Sequence, residues 1–377
     1  MMTKRRSCVF RPEALPVAAA MLAMLLRVGA PAAPTEAPPW IEAAPGGGGF
    51  VLAPSGKAFV PWGFNYDRDY RFRLIEEYWE AEWTTVERDF REMRELGANV
   101  VRVHLQFGKF MDAPDKPNTA NLERLERLVR LAEQTGLYLD LTGLGSYRKQ
   151  DVPAWYNALA EGERWAAQAA FWEAIARTCA ERPGVFCYDL MNEPVVSAGP
   201  RAAGEWVHPA ELGGFYYVQY INLDPAGRQR PAIAAEWTRR MAQAIRRHDK
   251  RRLITIGLIL IELGKPEEAS GFAPSAIAPE LGFLCVHVYP ESGKIEAALD
   301  LLKRCDVGKP LVIEETFPLR CDRKTLEEFI KRSRDVADGW IGFYWGQTPA
   351  ELKGSSQIGE QITLAWLELF QAMNPNR

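Results

Sequence analysis

The sequence predicts a (β/α)8 barrel that forms a single domain. Short apolar runs alternate eight times with amphipathic segments along the chain. The runs are apolar enough to be buried on both faces, which is typical of parallel strands covered by helices. Strict alternation of strands and helices indicates either a closed barrel or an open, doubly wound sheet.

An open nucleotide-binding sheet would carry a glycine-rich turn after its first strand. The chain has "GFNYDRDY" there (63–70), which does not match G-x-G-x-x-G, and no P-loop pattern occurs elsewhere. The closed barrel is therefore the predicted fold.

Each apolar run is predicted to be one barrel strand. The runs span residues 57–65, 98–105, 136–143, 185–192, 252–259, 282–289, 310–315 and 339–345. A 3.6-residue period predicts the helices that follow them. These lie at residues 83–97, 121–136, 164–184, 234–250, a weaker stretch at 274–280, 294–305, 323–338 and 360–373.

The N-terminal residues are predicted to be an export signal. Basic residues from Lys4 to Arg11 precede the run "ALPVAAAMLAMLL" (14–26), and Ala30 and Ala32 provide a small-residue cleavage site. The run is too short to span a bilayer comfortably, although a retained N-terminal anchor is the alternative. We expect a signal at 1–33, a linker at 34–49 and the barrel at 50–377, in a secreted or periplasmic protein without a stable membrane span.

Charge and composition restrict the class of partner. Because 46 Lys and Arg nearly balance 49 Asp and Glu, no broad positive field would attract nucleic acid. The 12 Trp residues suit stacking on sugars as well as core packing. Cys8 lies in the predicted signal, and the other five cysteines are expected to be mostly buried thiols, with one disulfide possible. The sequence does not indicate an oligomeric state.

Polar residues cluster at the C-terminal tips of the predicted strands, where barrel proteins place their sites. They are Asn65, Arg102, His104, Asp140, Thr142, Asn192, Glu193, His287, Tyr289, Glu315 and Trp345. Glu193 follows the fourth run in "YDLMNEP" (188–194), and Glu315 ends the seventh run. Cleavage of a glycosidic bond requires two such carboxylates, one to protonate the departing oxygen and one to attack or to activate water. Alternation along a strand leaves open whether Glu314 or Glu315 faces the mouth.

These motifs together resemble glycoside hydrolase family 5, the cellulase-like barrel enzymes of clan A. The matching pieces are "ANVVRVHL" on the second strand, "LMNEP" on the fourth, "HVY" on the sixth, "PLVIEET" on the seventh and Trp345 on the eighth. They cover about the whole chain after the predicted signal. The resemblance implies double displacement on a β-linked glycan, endoglucanase-like or mannanase-like, with Glu193 as acid/base and Glu315 as nucleophile. It implies no metal and no cofactor.

The resemblance also implies five substrate-binding or supporting residues. Arg102 would keep the nucleophile ionised, Tyr289 would donate a hydrogen bond to it, and His287 would place the acid/base or the sugar. Asn192 would bind the sugar 2-hydroxyl, and Trp345 would form the floor on which the sugar stacks.

The neighbouring charges also predict how the two acids are protonated. We expect Glu315 to be ionised and Glu193 to be protonated at about pH 6 in the free protein.

Some features depart from the family pattern and leave the sugar open. The third run ends "LDLTGLGS", the seventh ends "EETF" in place of the common "GEFG", and His104 lies two residues after Arg102. A long connection, from Pro194 to about Arg230, is rich in aromatic residues. We expect it either to form a wall that restricts the glycans that enter or to pack as a lid over the barrel.

Two other functions are compatible with a barrel of this kind. A metal-dependent hydrolase or isomerase could use His104, Asp140, Glu193, His287 and Glu315 as ligands, although the chain has neither H-x-H nor H-E-x-x-H. An exported barrel could instead bind glycans without cleaving them. Transfer of the sugar to another sugar, in place of water, would use the same two carboxylates.

Overall fold

Eight parallel strands close into a barrel in the computed structural model, which describes residues 37–260, 270–343 and 345–377. The strands are β1 (Trp62–Tyr66), β2 (Val100–Gln106), β3 (Tyr138–Gly145), β4 (Val185–Asn192), β5 (Leu253–Ile259), β6 (Leu284–His287), β7 (Leu311–Thr316) and β8 (Gly339–Gly342). Strands that follow each other in the chain are neighbours in the barrel, and β8 pairs with β1 to close it. The predicted (β/α)8 fold is confirmed.

A helix follows each strand. The helices are α1 (Trp83–Glu95), α2 (Thr119–Thr135), α3 (Glu161–Cys179), α4 (Arg230–Arg246), α5 (Pro274–Ile277), α6 (Ile295–Arg304), α7 (Arg323–Ser333) and α8 (Ile358–Met373). The side chains of Asn118 and Asp322 accept backbone hydrogen bonds at the first turns of α2 and α7, which fixes where these helices begin. Gly136 ends α2 in the left-handed conformation, with φ of 71°. None of the helices in the described part of the chain is both long and apolar enough to cross a bilayer.

Shorter elements occupy the connections. Short α-helices lie at Phe107–Phe110, Ala154–Ala158 and Pro349–Leu352, and 3-10 turns at Ile75–Glu77, Lys149–Asp151 and Ala278–Glu280. Met111–Ala113 pairs with Lys116–Pro117, and Pro194–Val195 pairs in parallel with Gln219–Tyr220.

A three-stranded antiparallel sheet precedes the barrel and closes its N-terminal end. Its strands are Trp40–Ala43, Phe50–Ala53 and Lys57–Phe59. The ring of Phe50 meets Phe186 and Phe283 edge-on, with centroids 5.2 and 5.1 Å apart. These contacts belong to an apolar cluster built from the first residues of the barrel strands.

This sheet corrects two predictions. The linker predicted at 34–49 contains the strand Trp40–Ala43, which is short and is surrounded by Ala, Pro and Gly. The predicted first strand, 57–65, is two strands, because the chain leaves the sheet at Val60 and Pro61 before β1 begins. The predicted signal at 1–33 lies outside the described residues.

The cysteines follow the expectation of buried thiols. Cys179, Cys187 and Cys285 are buried and carry free thiols, and Cys321 is a half-buried free thiol. The core is large enough to hold the fold without a disulfide.

Candidate active site

Glu193 occupies a sharp turn at the C-terminal end of β4. Its φ is +47°, a left-handed conformation that costs a residue other than glycine about 1 to 2 kcal/mol. The backbone N–H of Glu193 donates to the carbonyl oxygen of Gly257 on β5 at 2.9 Å, which holds the turn in place. The side chain is 9% exposed at the barrel mouth. Backbone strain of this kind is concentrated at functional sites.

Glu315 lies across the mouth on β7, and both of its carboxylate oxygens are held. Arg102 Nη1 donates to Oε1 at 2.7 Å, and the hydroxyl of Tyr289 donates to Oε2 at 2.5 Å. One oxygen of Glu315, one oxygen of Glu193 and a ring nitrogen of His287 lie within 4.8 Å of one another. Glu314, the neighbour that sequence could not distinguish from Glu315, is fully buried below them.

His287 lies between the two carboxylates. Its Nδ1 is 2.9 Å from Glu193 Oε1 and 3.5 Å from Glu315 Oε2, and its Nε2 is 3.3 Å from Glu314 Oε2. Burial opposes the charge of the imidazolium, but the charge of Glu315 and the contacts with Glu193 and Glu314 raise its pKa to about 10. His287 is therefore a cation that donates to Glu193 and Glu314 at neutral pH.

Burial dominates the electrostatics of Glu315. It raises the pKa of this carboxyl, the charges of His287 and Arg102 lower it, and the charge of Glu193 raises it. The prediction that Arg102 keeps Glu315 ionised did not take into account that burial raises the pKa of Glu315.

Arg102 connects the strands beneath the mouth. It is fully buried, and it donates to Asn65 at 2.9 Å, to Asp189 at 2.7 Å and to the side-chain oxygen of Asn192 at 3.0 Å. The amide nitrogen of Asn192 donates to the carbonyl oxygen of Tyr217 at 3.2 Å. Both ends of the Asn192 amide are thus fixed beside Glu193.

A group of buried acids lies below Arg102 and His287. Carboxylate oxygens of Asp140, Asp189 and Glu314 are within 4.8 Å of one another. Burial and the charges of Glu314 and Asp189 raise the pKa of Asp140 far above its usual value. Burial opposes the ionisation of Glu314, yet Arg102 and His287 bring its pKa down to about 2. Burial raises the pKa of Asp189 to about 6.

Asp189 and Glu314 were not among the predicted site residues. Each interrupts an apolar strand run with a carboxylate, and this signal could have identified them, because an unpaired charge is costly inside a barrel.

Trp345 does not present the open stacking floor that was predicted. It is 1% exposed, and its ring lies 5.4 Å from that of Phe64. The backbone N–H of Trp345 donates to the carbonyl oxygen of Asn65 at 2.7 Å. This hydrogen bond continues the pairing of β8 with β1 past the end of the strand and directs the indole against the β1 side chains.

The five metal ligands of the alternative reading do not form one set. Glu193, His287 and Glu315 lie together, whereas Asp140 belongs to the buried group below them. His104 lies between the Tyr147 hydroxyl, 2.6 Å from Nδ1, and Asn65 Oδ1, 3.1 Å from Nε2. Burial lowers the pKa of His104 far below its usual value, so the ring is neutral. The cations His287 and Arg102 already compensate the carboxylates, and the metal-dependent reading is not favoured.

A cavity of about 350 Å³ opens beside Glu193. Its described lining comes mostly from the tips of β5 and β6 and the segments that follow β6 and β7, and it includes Ile259, His287, Tyr289 and Leu319. Much of this lining is aliphatic.

A (β/α)8 barrel with two facing carboxylates at its C-terminal mouth is the arrangement of an O-glycosyl hydrolase, and the family match supports this class. The family model described as cellulase, glycosyl hydrolase family 5, matches residues 62–297. The chain belongs to this family. The match includes Arg102, Asn192, Glu193, His287 and Tyr289, and it ends before β7.

The chain is also similar in fold to solved structures. These include an exo-β-1,4-mannosidase from an Opitutaceae bacterium, strain TAV5, at 18% identity and a TM-score of 0.65, covering 89% of this chain and 62% of that chain. An endo-1,4-β-mannanase from Rhizomucor miehei has 16% identity and a TM-score of 0.58, covering 88% and 99%. A Streptomyces cattleya structure in complex with Manβ1-4GlcNAc has 17% identity and a TM-score of 0.57, covering 77% and 71%. The chain thus spans less than two thirds of the length of the mannosidase. No curated protein sequence matches the chain.

Proposed function

We propose that this protein hydrolyses β-mannosidic bonds with retention of anomeric configuration, with Glu315 as nucleophile and Glu193 as acid/base. The observation that carries this proposal is the short separation of the two carboxylates, whose nearest oxygens lie within 4.8 Å. Retaining pairs are about 5 to 5.5 Å apart, whereas inverting pairs leave about 6.5 to 9.5 Å for a water molecule.

The contacts of each acid suit its proposed role. Glu315 attacks the anomeric carbon, and Arg102 and Tyr289 hold its oxygens in place for the attack. Glu193 gives its proton to the departing oxygen as the C–O bond breaks, and the N–H of His287 then stabilises the carboxylate that forms. In the second half-reaction Glu193 takes a proton from water, whose oxygen displaces Glu315 from the sugar.

Mannose is proposed as the sugar from the similar structures. The family contains hydrolases of several β-glycans, and the similar structures named above are a β-mannosidase, a β-mannanase and a complex with a β-mannoside. A barrel that only binds glycans is not favoured, because both acids lie at the proposed catalytic distance.

Aryl glycosides test the chemistry and the sugar together. The wild type should hydrolyse p-nitrophenyl β-mannoside faster than the β-glucoside and the β-xyloside, and the first sugar released should be the β-anomer by proton NMR. Release of the α-anomer would disprove retention, and preference for another glycoside would disprove mannose.

The leaving group separates the roles of the two acids. Glu193→Ala should lose only about tenfold on an aryl mannoside with an acidic phenol but about 10³-fold or more on mannobiose, because only the poor leaving group needs a proton. Glu315→Ala should lose activity on both substrates by a similar factor. Equal losses in Glu193→Ala on the two substrates would exclude an acid role for Glu193.

We also propose that residues 1–33 direct export and are removed. The basic residues followed by a short apolar run support this proposal. N-terminal sequencing of protein recovered outside the cytoplasm should begin after Ala33, whereas an intact Met1 in a membrane fraction would indicate a retained anchor.

A further inference from the structure

The connection between β4 and α4 (residues 196–229) crosses the barrel mouth and is fastened on its far side. The connection leaves β4 through Pro194–Val195, and its own strand Gln219–Tyr220 pairs back onto these residues. Just before that strand, the carbonyl oxygen of Tyr217 accepts the hydrogen bond from Asn192 at the tip of β4.

The ring of Tyr217 extends from there to the tip of β1. Its hydroxyl donates to Asp67 Oδ2 at 2.8 Å and accepts from Arg68 Nη1. Arg68 also donates to Asp67 at 2.9 Å. Asp67, Arg68 and Tyr217, which we call the Tyr217 barrier, are at most 9% exposed.

Aromatic rings support the Tyr217 barrier on both sides. Tyr147, which follows β3, has its ring centroid 4.9 Å from that of Tyr217, and Phe343, which follows β8, has its centroid 6.2 Å away. The guanidinium of Arg68 lies 5.5 Å from the ring of Phe215, in the same connection. Protein side chains therefore occupy the mouth between the tips of β4 and β1.

The cavity at the active site opens in another direction. Its described lining includes Ile259 at the tip of β5, Val288 after β6 and Leu319 after β7. In the circular strand order β5 stands opposite β1, so the cavity lies across the mouth from the attachment of the Tyr217 barrier.

The chemistry of the two acids decides which part of the substrate each side receives. The cavity is lined by Glu193, and a general acid must contact the departing oxygen. The cavity therefore receives the leaving group, and the sugar that Glu315 attacks lies between the acids and the Tyr217 barrier.

We propose that the Tyr217 barrier leaves room for a single sugar on the side of the nucleophile, so that the enzyme removes one unit at a time from the non-reducing end of a chain. This inference rests on the proposed function of the two acids. Each event breaks one glycosidic C–O bond and adds the hydroxyl of water to the anomeric carbon and its proton to the departing oxygen.

The product pattern from an end-labelled oligosaccharide tests the proposal. β-1,4-Mannohexaose with a fluorophore at its reducing end should give free mannose and labelled pentasaccharide first, and then successively shorter labelled products. The labelled pentasaccharide should exceed all shorter labelled products by about tenfold in the initial phase. Labelled di- or trisaccharide among the first products would overturn the proposal.

Variants of the Tyr217 barrier test its cause. The double variant Arg68→Ala with Tyr217→Ala should release internal products from the same substrate and lower the initial excess of pentasaccharide at least about threefold. Tyr216→Ala is the matched control, because Tyr216 is the half-buried neighbour whose ring contacts Lys149 outside the Tyr217 barrier. If a folded double variant keeps the wild-type pattern, the Tyr217 barrier does not determine it.

Failure of the proposed function gives a different result. Hydrolysis of p-nitrophenyl β-mannoside by the wild type needs room for only one sugar, so it reports the chemistry without the chain-end restriction. An enzyme that cleaves this aryl mannoside and also cuts the hexasaccharide internally has the proposed function without the chain-end restriction. An enzyme that cleaves no glycoside lacks the proposed function. The chain-end restriction then fails as well, because it assumes the proposed roles of the two acids.

Discussion

Tyr289 donates a hydrogen bond to Glu315, and this bond is stronger when the carboxylate is charged. The phenol donates at 2.5 Å and lowers the pKa of Glu315 against the effect of burial. In Tyr289→Phe the pKa of Glu315 should rise, so the acid limb of the kcat/KM profile should move to higher pH. A hydrogen bond to a charged group contributes about 1.5 to 3 kcal/mol, which predicts a loss of about 10- to 100-fold in kcat.

Tyr138→Phe is the control for this prediction. The Tyr138 hydroxyl donates to the carbonyl oxygen of Pro39 at 2.8 Å, at the opposite end of the barrel. Its removal should leave the pH profile unchanged. An acid limb that stays in place in Tyr289→Phe would show that the phenol does not set the ionisation of Glu315.

Glu314 is expected to act on the site through His287. It contacts His287 Nε2 at 3.3 Å and is one of the groups that raise the pKa of this histidine to about 10. Glu314→Gln removes that charge, so the pKa of His287 should fall, and kcat should fall by about tenfold or more as the donor to Glu193 is weakened.

An NMR titration of the imidazole resonances measures the effect of Glu314 directly. The chain has 4 His residues, and His287→Gln identifies the signal. Glu92→Gln, a half-buried carboxylate on α1, is the control and should leave that signal unchanged. A His287 pKa that is the same in Glu314→Gln and in the wild type would show that Glu314 only fills space.

The N-terminal sheet makes a prediction about where the folded unit begins. A chain that starts at Ala37 keeps the strand Trp40–Ala43, whereas a chain that starts at Gly46 lacks the pairing of this strand with Phe50–Ala53 and the burial of Ile41. The shorter chain should unfold at a lower temperature. Phe50→Ala should cost about 3 to 5 kcal/mol in the free energy of unfolding, because Phe50 fills the bottom of the barrel.

Denaturant titration and thermal unfolding of the two truncated chains measure this difference. Ser55→Ala, in the exposed turn of the same sheet, is the control for Phe50→Ala and should change stability by less than about 1 kcal/mol. Equal melting temperatures for the two truncations would show that residues 37–45 belong to a linker after all.

Element prediction succeeded where the periodicity was strong and failed where an element was short. The runs that became β2 to β8 were located within a few residues, because strands buried on both faces consist of continuous apolar residues. The strand Trp40–Ala43 has four residues in a setting of Ala, Pro and Gly, and its pairing partner is not local. Only the tertiary contacts of Ile41 and Phe50 with the barrel floor reveal it.

Across the whole molecule, the polar residues at the strand tips predicted where the site lies. They did not predict which side chains surround it in three dimensions. Sequence identified Glu193, Glu315 and Arg102, which the fold brings together at one end of the barrel. Sequence could not reveal that Tyr217, 150 residues after Asp67 in the chain, would reach the tip of β1, since this depends on three-dimensional contacts. Sequence also could not show that the indole of Trp345 is buried against the barrel wall.

The raised pKa of His287 predicts how the stability of the whole protein varies with pH. This pKa rises from about 6.5 to about 10 on folding, so between these values the folded state holds a proton that the unfolded state has lost. The stabilising contribution is complete below about pH 6.5 and is lost as pH rises through about 10. The melting temperature should therefore fall over this range.

His287→Gln keeps a hydrogen-bond donor but cannot titrate, so its melting temperature should fall less steeply. Groups that His287 does not contact titrate equally in both proteins, whereas the pKa values of Glu314 and Glu315 should rise without its charge, so the difference between the two curves reports His287 together with these two carboxylates. Parallel curves would mean that His287 is neutral in the folded protein and that the cation between the two catalytic candidates does not exist.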